Sequence, residues 1–223
     1  MPEAVPQIEL LTPAIDIHAE FAIAKRADFA REQASRDARQ LADWIVDASD
    51  NQGKSFVIID KTSARMFVFD TGGLIRGAAP VLLGSARGDH TVPGVGEKKL
   101  SAVRPQERTT PAGRFVAAMG RNFRGEEVVW VDYDSAVSMH PVIRTKDRLQ
   151  RLASATIKDK RVSYGCINVP AAFYNAVVMP AFAGTEGIVY VLPEIRSVRE
   201  VFGSYDVEER SARQNAAQPA SAR

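Results

Sequence analysis

The spacing of apolar residues along the chain changes near residue 50. From about His18 to Ala48 there is no glycine or proline, and the apolar residues of the second half recur at helical spacing. This pattern predicts one long helix, or two helices with a break near Ser35. The apolar side of the helix packs on the main domain or, as the alternative, against a second copy of the chain.

After Gly53 the pattern changes to short runs of β-branched and aromatic residues separated by turn residues. Strands are predicted at Ser55–Asp60, Arg65–Asp70, Leu74–Leu83, Arg114–Met119, Val128–Tyr133, Ala136–His140 and Gly187–Leu192. The first two runs, with a polar turn between them, are typical of a hairpin. Closely spaced strands without regular strand–helix alternation predict a mainly β or α+β fold, a β-sandwich with peripheral helices, rather than a doubly wound α/β sheet.

The segments between the strands carry their own patterns. Residues 84–111 are polar and punctuated by glycine and proline, which is typical of a functional or mobile connection. Residues 145–160 are basic and predict a short helix or a lid. A helix is predicted at Ala171–Phe182, opened by Pro170. From Ser204 the small, polar sequence predicts a disordered tail.

The distribution of charge supports a boundary near residue 50. The first 50 residues hold ten acidic and five basic side chains, so the remainder of the chain is basic. We therefore predict an N-terminal helical segment at 1–50, a main domain at 51–195 and a C-terminal extension at 196–223 that is largely disordered.

Composition excludes several classes of function. The chain has 223 residues and a formal net charge of +2, too small to indicate nucleic acid as the main partner. No apolar run approaches 18 residues, which argues against a transmembrane helix. The single cysteine, Cys166, excludes an intrachain disulfide framework, and three histidines argue against a histidine-rich metal site. The N-terminus lacks a signal-peptide pattern, so the protein is either cytoplasmic or exported with its leader absent from this chain.

The lone cysteine has unusual neighbours. A single cysteine is most often a small buried hydrophobic residue. Here Ser163 and Gly165 are turn formers beside Cys166, and Asn168 leads towards a helix, so the thiol is expected on a strand-to-loop element. A glycine directly before a nucleophile lets successive backbone N–H groups point at a developing oxyanion. This pattern favours a cysteine nucleophile.

A cysteine thiol needs a partner to ionise at neutral pH, because its unperturbed pKa is about 8.5. His18 lies in the predicted N-terminal helix and His90 in the long polar segment. His140 ends a strand-like run and precedes a proline, which makes it the best candidate base. A surface or capping histidine is the alternative.

Taken together, His140 and the run Ser163-Tyr164-Gly165-Cys166-Ile167-Asn168 resemble the catalytic domain of L,D-transpeptidases, the YkuD-like family. The run VIIDKTSARMFVFD is similar to the first hairpin of such domains, and Thr110–Phe115 is similar to their Thr-Pro-x-Gly-x-Phe segment. The resemblance spans roughly Ser55 to Pro193. Two features depart from the family: Tyr164 stands where a histidine is usual, and 26 residues separate His140 from Cys166, more than is usual.

The resemblance implies a YkuD-like β-sandwich and acyl transfer on peptidoglycan stem peptides, without a metal or an organic cofactor. Cys166 would attack the carbonyl between the L- and D-centres of a tetrapeptide stem, and His140 would move the proton. Ser163, Tyr164 and Gly165 would complete the catalytic turn, with the N–H groups of Gly165 and Cys166 as oxyanion donors. Substrate binding would fall to Asn168, Arg144 and Arg148. Such chemistry implies a periplasmic or other extracytoplasmic location, with the signal peptide absent from this chain.

Two other functions stay open at this point. Water in place of an amine acceptor would make the protein an L,D-carboxypeptidase or a cross-link hydrolase. A non-catalytic peptidoglycan-binding module is the second alternative. The presence of both Cys166 and His140 argues against a binding module, because a binding surface needs neither.

Overall fold

The computed structural model describes residues 24–216. The strands are β1 (Phe56–Asp60), β2 (Arg65–Phe69), β3 (Ile75–Pro80), β4 (Leu83–Gly84), β5 (Gly113–Arg121), β6 (Glu127–Asp132), β7 (Val137–Pro141), β8 (Arg161–Ser163), β9 (Ile167–Val169) and β10 (Gly187–Val191). The helices are α1 (Arg36–Ala48), α2 (Lys146–Ala153), α3 (Ala171–Phe173), α4 (Met179–Phe182), α5 (Val198–Phe202) and α6 (Val207–Ala216). A π-helical turn at Tyr174–Val178 joins α3 to α4, so the helix predicted over this region is present with a wide turn at its centre.

Eight strands form one mixed sheet in the order β3-β2-β1-β10-β5-β6-β7-β9, and β4 pairs with β8 in a small second sheet. Within the large sheet the pairs β1–β10 and β7–β9 are parallel, and the others are antiparallel. The predicted mainly β, α+β fold is therefore confirmed. The mixed pairing is incompatible with a doubly wound parallel sheet.

The large sheet buries apolar side chains on both faces. Val57 and Ile59 of β1 share one cluster with Val131 and Met139 from the far half of the sheet, so the sheet curls over its own core in the manner of a sandwich. The helical segment Ala171–Phe182 closes this cluster. The alternate residues of β1 point to a second cluster, which α1 and α6 cover. Successive residues of β1 therefore pack alternately into the two hydrophobic clusters on opposite faces of the sheet.

The N-terminal helix is shorter than predicted. It begins at Arg36, where the Ser35 hydroxyl accepts a hydrogen bond from Ala38 N at 3.1 Å. Residues 24–35 are not helical, because Asp28 bridges Leu74 at the edge of the sheet. The part of the prediction that lies before residue 24, including His18, falls outside the described residues. Where it is described, the apolar face of α1 packs on the main sheet.

A second difference concerns the C-terminus, where the predicted disordered tail is wrong for residues 204–216. Helix α6 buries Val207 against the second cluster, and the Tyr205 hydroxyl donates to Asp47 Oδ2 at 2.6 Å. Arg210 forms a salt bridge with the same carboxylate at 2.7 Å. These contacts to α1 give an otherwise polar helix a fixed position, which composition alone does not reveal.

The connections around the site also differ in detail from the sequence pattern. The predicted strand Leu74–Leu83 divides into β3 and β4, and β4 leaves the large sheet to pair with β8. The segment 84–111 contains three short 3₁₀ turns. The basic segment 145–160 forms α2 and a further 3₁₀ turn. Within residues 24–216, no helix has the length and apolar character needed to span a bilayer.

Candidate active site

The cysteine and the histidine meet because β7 and β9 are parallel neighbours. In this pair His140 lies opposite Asn168, and Met139 lies opposite Ile167. Met139 and Ile167 belong to the core cluster, so the residues that alternate with them point to the other face of the pair. That face brings Ser138, His140, Cys166 and Asn168 together.

The Cys166 thiol is partly buried and lies in a polar setting. Its Sγ is 3.6 Å from Ser138 Oγ and 3.6 Å from the Ala136 carbonyl oxygen. Burial raises the pKa of the Cys166 thiol, but the His140 side chain and the N–H and hydroxyl of Ser138 outweigh it, so the net pKa is below the ordinary value. The thiol therefore ionises more readily than a free cysteine.

The His140 ring is held by the backbone. Its Nδ1 lies 2.9 Å from the Pro141 carbonyl oxygen, and because a carbonyl only accepts, Nδ1 carries a proton and donates it. Nε2 is thus the nitrogen that gains or loses a proton. Burial lowers the pKa of His140. The contacts of the ring with Cys166 and with the Pro141 carbonyl outweigh burial, so the net pKa is raised. The positive charge of Arg148 opposes that rise. Each of the two groups favours the charged form of the other.

The turn that presents the cysteine depends on Gly165. This residue has φ +132°, and a Cβ there would lie 3.0 Å from the Thr109 carbonyl oxygen. Ser163 is buried, and its Oγ accepts from Gly165 N at 3.1 Å while donating to the Cys166 carbonyl at 2.6 Å. The Gly165 N–H, predicted as an oxyanion donor, is therefore occupied by Ser163. The N–H groups of Tyr164 and Cys166 have no partner among the described turn and loop hydrogen bonds.

Behind this turn lies a buried polar brace. Thr110 Oγ1 donates to the Gly165 carbonyl at 2.8 Å and accepts from Gly84 N at 2.9 Å. The Thr110 carbonyl in turn accepts from the ammonium of Lys61 at 3.1 Å. Lys61 is fully buried and also forms a 3.0 Å salt bridge with Asp89. The brace joins the cysteine turn to the first hairpin through Thr110 and Lys61, so the turn has a fixed position.

Two of the three predicted substrate-binding residues lie beside the pair. Asn168 is buried, with its Nδ2 3.5 Å from His140 Nε2 and 3.3 Å from the Cys166 carbonyl oxygen. Arg148 of α2 donates from Nη1 to Asn168 Oδ1 at 2.6 Å. Arg144 is exposed and has no hydrogen bond or salt bridge to any residue in the described part of the chain. The structure does not bring Arg144 to the thiol.

Tyr164 lies at the surface next to the cysteine. The residue is 40% exposed, and the guanidinium of Arg108 lies 4.1 Å from the centre of its ring. Within residues 24–216 its hydroxyl makes no hydrogen bond. The ring packs against the Arg108 guanidinium next to the cysteine turn, which favours a packing role over proton transfer.

Sequence reasoning missed Ser138, and it assigned no role to Thr110 or Lys61. Ser138 had a usable signal, because a residue two positions before His140 on a strand shares its face. Lys61 had none: a lysine in a turn between two strands is ordinarily exposed, and its burial follows from Asp89, 28 positions away. Among the described residues, no group of three or more histidine, cysteine, aspartate or glutamate side chains is arranged to hold a metal ion.

Neither the family models nor the curated proteins yield a match to this chain. Solved structures with a similar fold include a cysteine mutant of the Enterococcus faecium L,D-transpeptidase, at 19% identity and a TM-score of 0.36, covering 62% of this chain and 50% of that one. An L,D-transpeptidase from Xylanimonas cellulosilytica has 14% identity and a TM-score of 0.39, covering 62% and 60%. The helical cell shape determining protein Pgp2 from Campylobacter jejuni has 14% identity and a TM-score of 0.45, covering 71% and 52%.

The chain thus spans half to three-fifths of the length of these three solved structures. Likeness at this level does not assign an activity. The function is therefore argued from the thiol, the imidazole and the groups that contact them.

Proposed function

We propose that the protein is a cysteine-dependent peptidoglycan L,D-transpeptidase, with Cys166 as nucleophile and His140 as general base and acid. The observation that carries the proposal is the placement of Cys166 and His140 on one face of the β7–β9 pair, where the pKa of Cys166 is lowered and that of His140 is raised. The resemblance of the surrounding sequence to the L,D-transpeptidase motif supports the choice of substrate. The proposed location is extracytoplasmic, where peptidoglycan chemistry takes place.

The first half-reaction forms an acyl-enzyme. Cys166 Sγ attacks the carbonyl carbon between the L- and D-centres of a tetrapeptide stem, and its proton passes to His140 Nε2. The carbonyl oxygen becomes an oxyanion, for which the N–H groups of Cys166 and Tyr164 are the available donors. The C–N bond then breaks, and His140 returns the proton to the leaving D-alanine amine. The product is a thioester on Cys166.

The second half-reaction transfers the acyl group. His140 takes a proton from the acceptor amine as its nitrogen attacks the thioester carbonyl. A new amide bond forms, the C–S bond breaks, and the thiolate recovers the proton from His140. Nδ1 stays bonded to the Pro141 carbonyl throughout, so only Nε2 moves protons.

Residues around the pair have supporting roles in this proposal. Ser163 and Gly165 shape the turn that aims Sγ, and Asn168 contacts the His140 ring and the Cys166 carbonyl. Arg148, which contacts Asn168, supplies positive charge that suits the carboxylates of stem peptides. Tyr164 packs against Arg108 next to the cysteine turn.

Product analysis on defined muropeptides tests this function. Wild-type protein is incubated with a disaccharide tetrapeptide, with and without an amine acceptor, and the products are separated by liquid chromatography and mass spectrometry. Cross-linked or amine-exchanged product that requires Cys166 supports transpeptidation. Tripeptide alone, whether or not the amine is present, would instead identify an L,D-carboxypeptidase. Absence of any product would favour a binding module.

A further inference from the structure

The orientation of the Asn168 amide is fixed by its neighbours. A guanidinium has only donors, so the 2.6 Å contact from Arg148 Nη1 requires the oxygen of the amide on that side. The NH₂ group then faces the Cys166 carbonyl oxygen at 3.3 Å, an acceptor that suits it. Two independent contacts therefore agree on one orientation.

This orientation has a consequence for His140. The Asn168 NH₂ group lies 3.5 Å from Nε2, and an NH₂ group donates a hydrogen bond only to a nitrogen that carries no proton. An imidazolium would place its Nε2–H against the two amide hydrogens. The contact therefore favours neutral imidazole, the form that accepts the thiol proton.

Arg148 reaches the site from α2, a surface helix in which Leu152 is the one buried residue. Within residues 24–216 Arg148 forms no salt bridge, and the Asn168 oxygen is its side-chain partner. In the described part of the chain, the charged or titratable groups that act on His140 are Cys166, from the turn before β9, and Arg148 itself. Repulsion by the guanidinium and the orientation of the amide that it holds therefore both disfavour the protonated form of His140.

We propose that Arg148 is a positioning residue, which holds the Asn168 amide so that His140 Nε2 stays unprotonated until the Cys166 thiol gives up its proton. Without this restraint, the Asn168 amide can rotate and present its oxygen to Nε2–H, which stabilises the imidazolium–thiolate pair. The α2 segment, inserted between β7 and β8, thereby sets how much thiolate the free protein carries. The inference rests on the Cys166–His140 pair and not on the peptidoglycan substrate.

The test compares thiol reactivity across pH in the full chain. The rate of alkylation by iodoacetamide is measured from pH 5 to 10 for wild type, Arg148→Met and Arg148→Lys. In Arg148→Met we expect the midpoint of the pH dependence of Cys166 alkylation to fall by about 0.5–1 pH unit. Alkylation at pH values below the midpoint then becomes about three- to tenfold faster. Arg148→Lys can still donate to Asn168 and is expected to keep the wild-type midpoint.

A matched control uses the same helix. Arg151→Met removes a guanidinium that bonds Asp147 rather than Asn168, and its midpoint should not move. A second readout is the NMR titration of His140 in a Cys166→Ala background, where Arg148→Met should raise the pKa of the imidazole. A thiol midpoint that is unchanged or raised in Arg148→Met, or an unshifted His140 titration, overturns the proposal. Neither measurement uses a peptidoglycan substrate, so its failure is distinct from failure of the proposed function.

Discussion

The Ser138 hydroxyl and the Cys166 thiol face each other across the parallel strands β7 and β9, with Oγ 3.6 Å from Sγ. Ser138 is 5% exposed, so few water molecules compete for its proton. Its backbone N–H and its hydroxyl both lower the pKa of the thiol, although burial and His140 have larger effects. The Cys166 thiolate is therefore stabilised by the strand that also carries His140.

Removing the Ser138 hydroxyl should make the thiol less acidic. In Ser138→Ala we expect the alkylation midpoint of Cys166 to rise, and the rate at pH 6 to fall about threefold to tenfold, because the backbone N–H still helps the thiolate. The pH dependence of iodoacetamide alkylation measures this. Ser135→Ala is the matched control, since that hydroxyl bonds Thr91. Equal alkylation midpoints in wild type and Ser138→Ala would show that the Ser138 hydroxyl does not stabilise the thiolate.

The turn before Cys166 should not tolerate a side chain. Gly165→Ala would place a methyl group 3.0 Å from the Thr109 carbonyl at a φ of +132°, and the shift needed to relieve this moves Sγ. Turnover should fall at least about tenfold, measured as tripeptide or cross-linked product per minute. Gly125→Ala has φ +79° but open space around its Cβ, and it should cost only stability. Full activity in Gly165→Ala would contradict the proposed geometry.

The Tyr164 hydroxyl should contribute little to catalysis. Its ring packs under the Arg108 guanidinium, and its hydroxyl has no hydrogen-bond partner within the described residues. Turnover of Tyr164→Phe should stay within about twofold of wild type, and the acidic limb of the pH–rate profile should not move. A fall of about 10²–10³ would instead make the hydroxyl an oxyanion donor. A shift of the acidic limb by more than about one pH unit would show that Tyr164 takes part in the ionisation that controls the rate.

The buried brace predicts a stability that depends on pH. Burial raises the pKa of Asp89, but hydrogen bonds from the Arg196 and Glu194 N–H groups and from Lys61 outweigh it and lower the pKa to about 2. Because this lies below the unfolded value of about 4, the carboxylate stabilises the fold above pH 4 by about 2–3 kcal/mol. That contribution disappears as the pH falls towards 2.

Urea denaturation of Asp89→Asn checks this expectation. The variant should lose about 2–3 kcal/mol of unfolding free energy at pH 7, and the difference from wild type should shrink in acid. Asp134→Asn, at an exposed position, is the control and should behave as wild type. A difference that stays constant from pH 7 to pH 3 would show that the Asp89 charge is not responsible.

The sequence predicts the Cys166–His140 pair and most strands because their signals are local. Gly165 beside Cys166 and the alternation that ends at His140 can both be recognised within a few residues. Two segments depend instead on distant partners: residues 24–35 contact Leu74, and residues 204–216 contact Asp47. The predicted helix in the first segment and the predicted disorder in the second were therefore wrong. Tertiary contacts overrode helix propensity in the first segment and composition in the second.

The same distinction applies within the site. The occupied N–H of Gly165 follows from the rotamer of Ser163, which no spacing rule determines. The contact of Arg148 with Asn168 follows from how α2 folds back over β9. The roles of these groups could be recognised only once donors and acceptors were assigned.

The central proposal is that Cys166 is a nucleophile that becomes acylated and that His140 activates it. The most direct measurement is intact-protein mass spectrometry with a tetrapeptide stem and no amine acceptor, followed by peptide mapping of the adduct. We predict a covalent acyl group on Cys166 with loss of D-alanine, slowed at least about 10²-fold in His140→Ala and absent in Cys166→Ala. An adduct that forms as fast in His140→Ala, or no adduct on a thiol that iodoacetamide alkylates readily, would contradict the account.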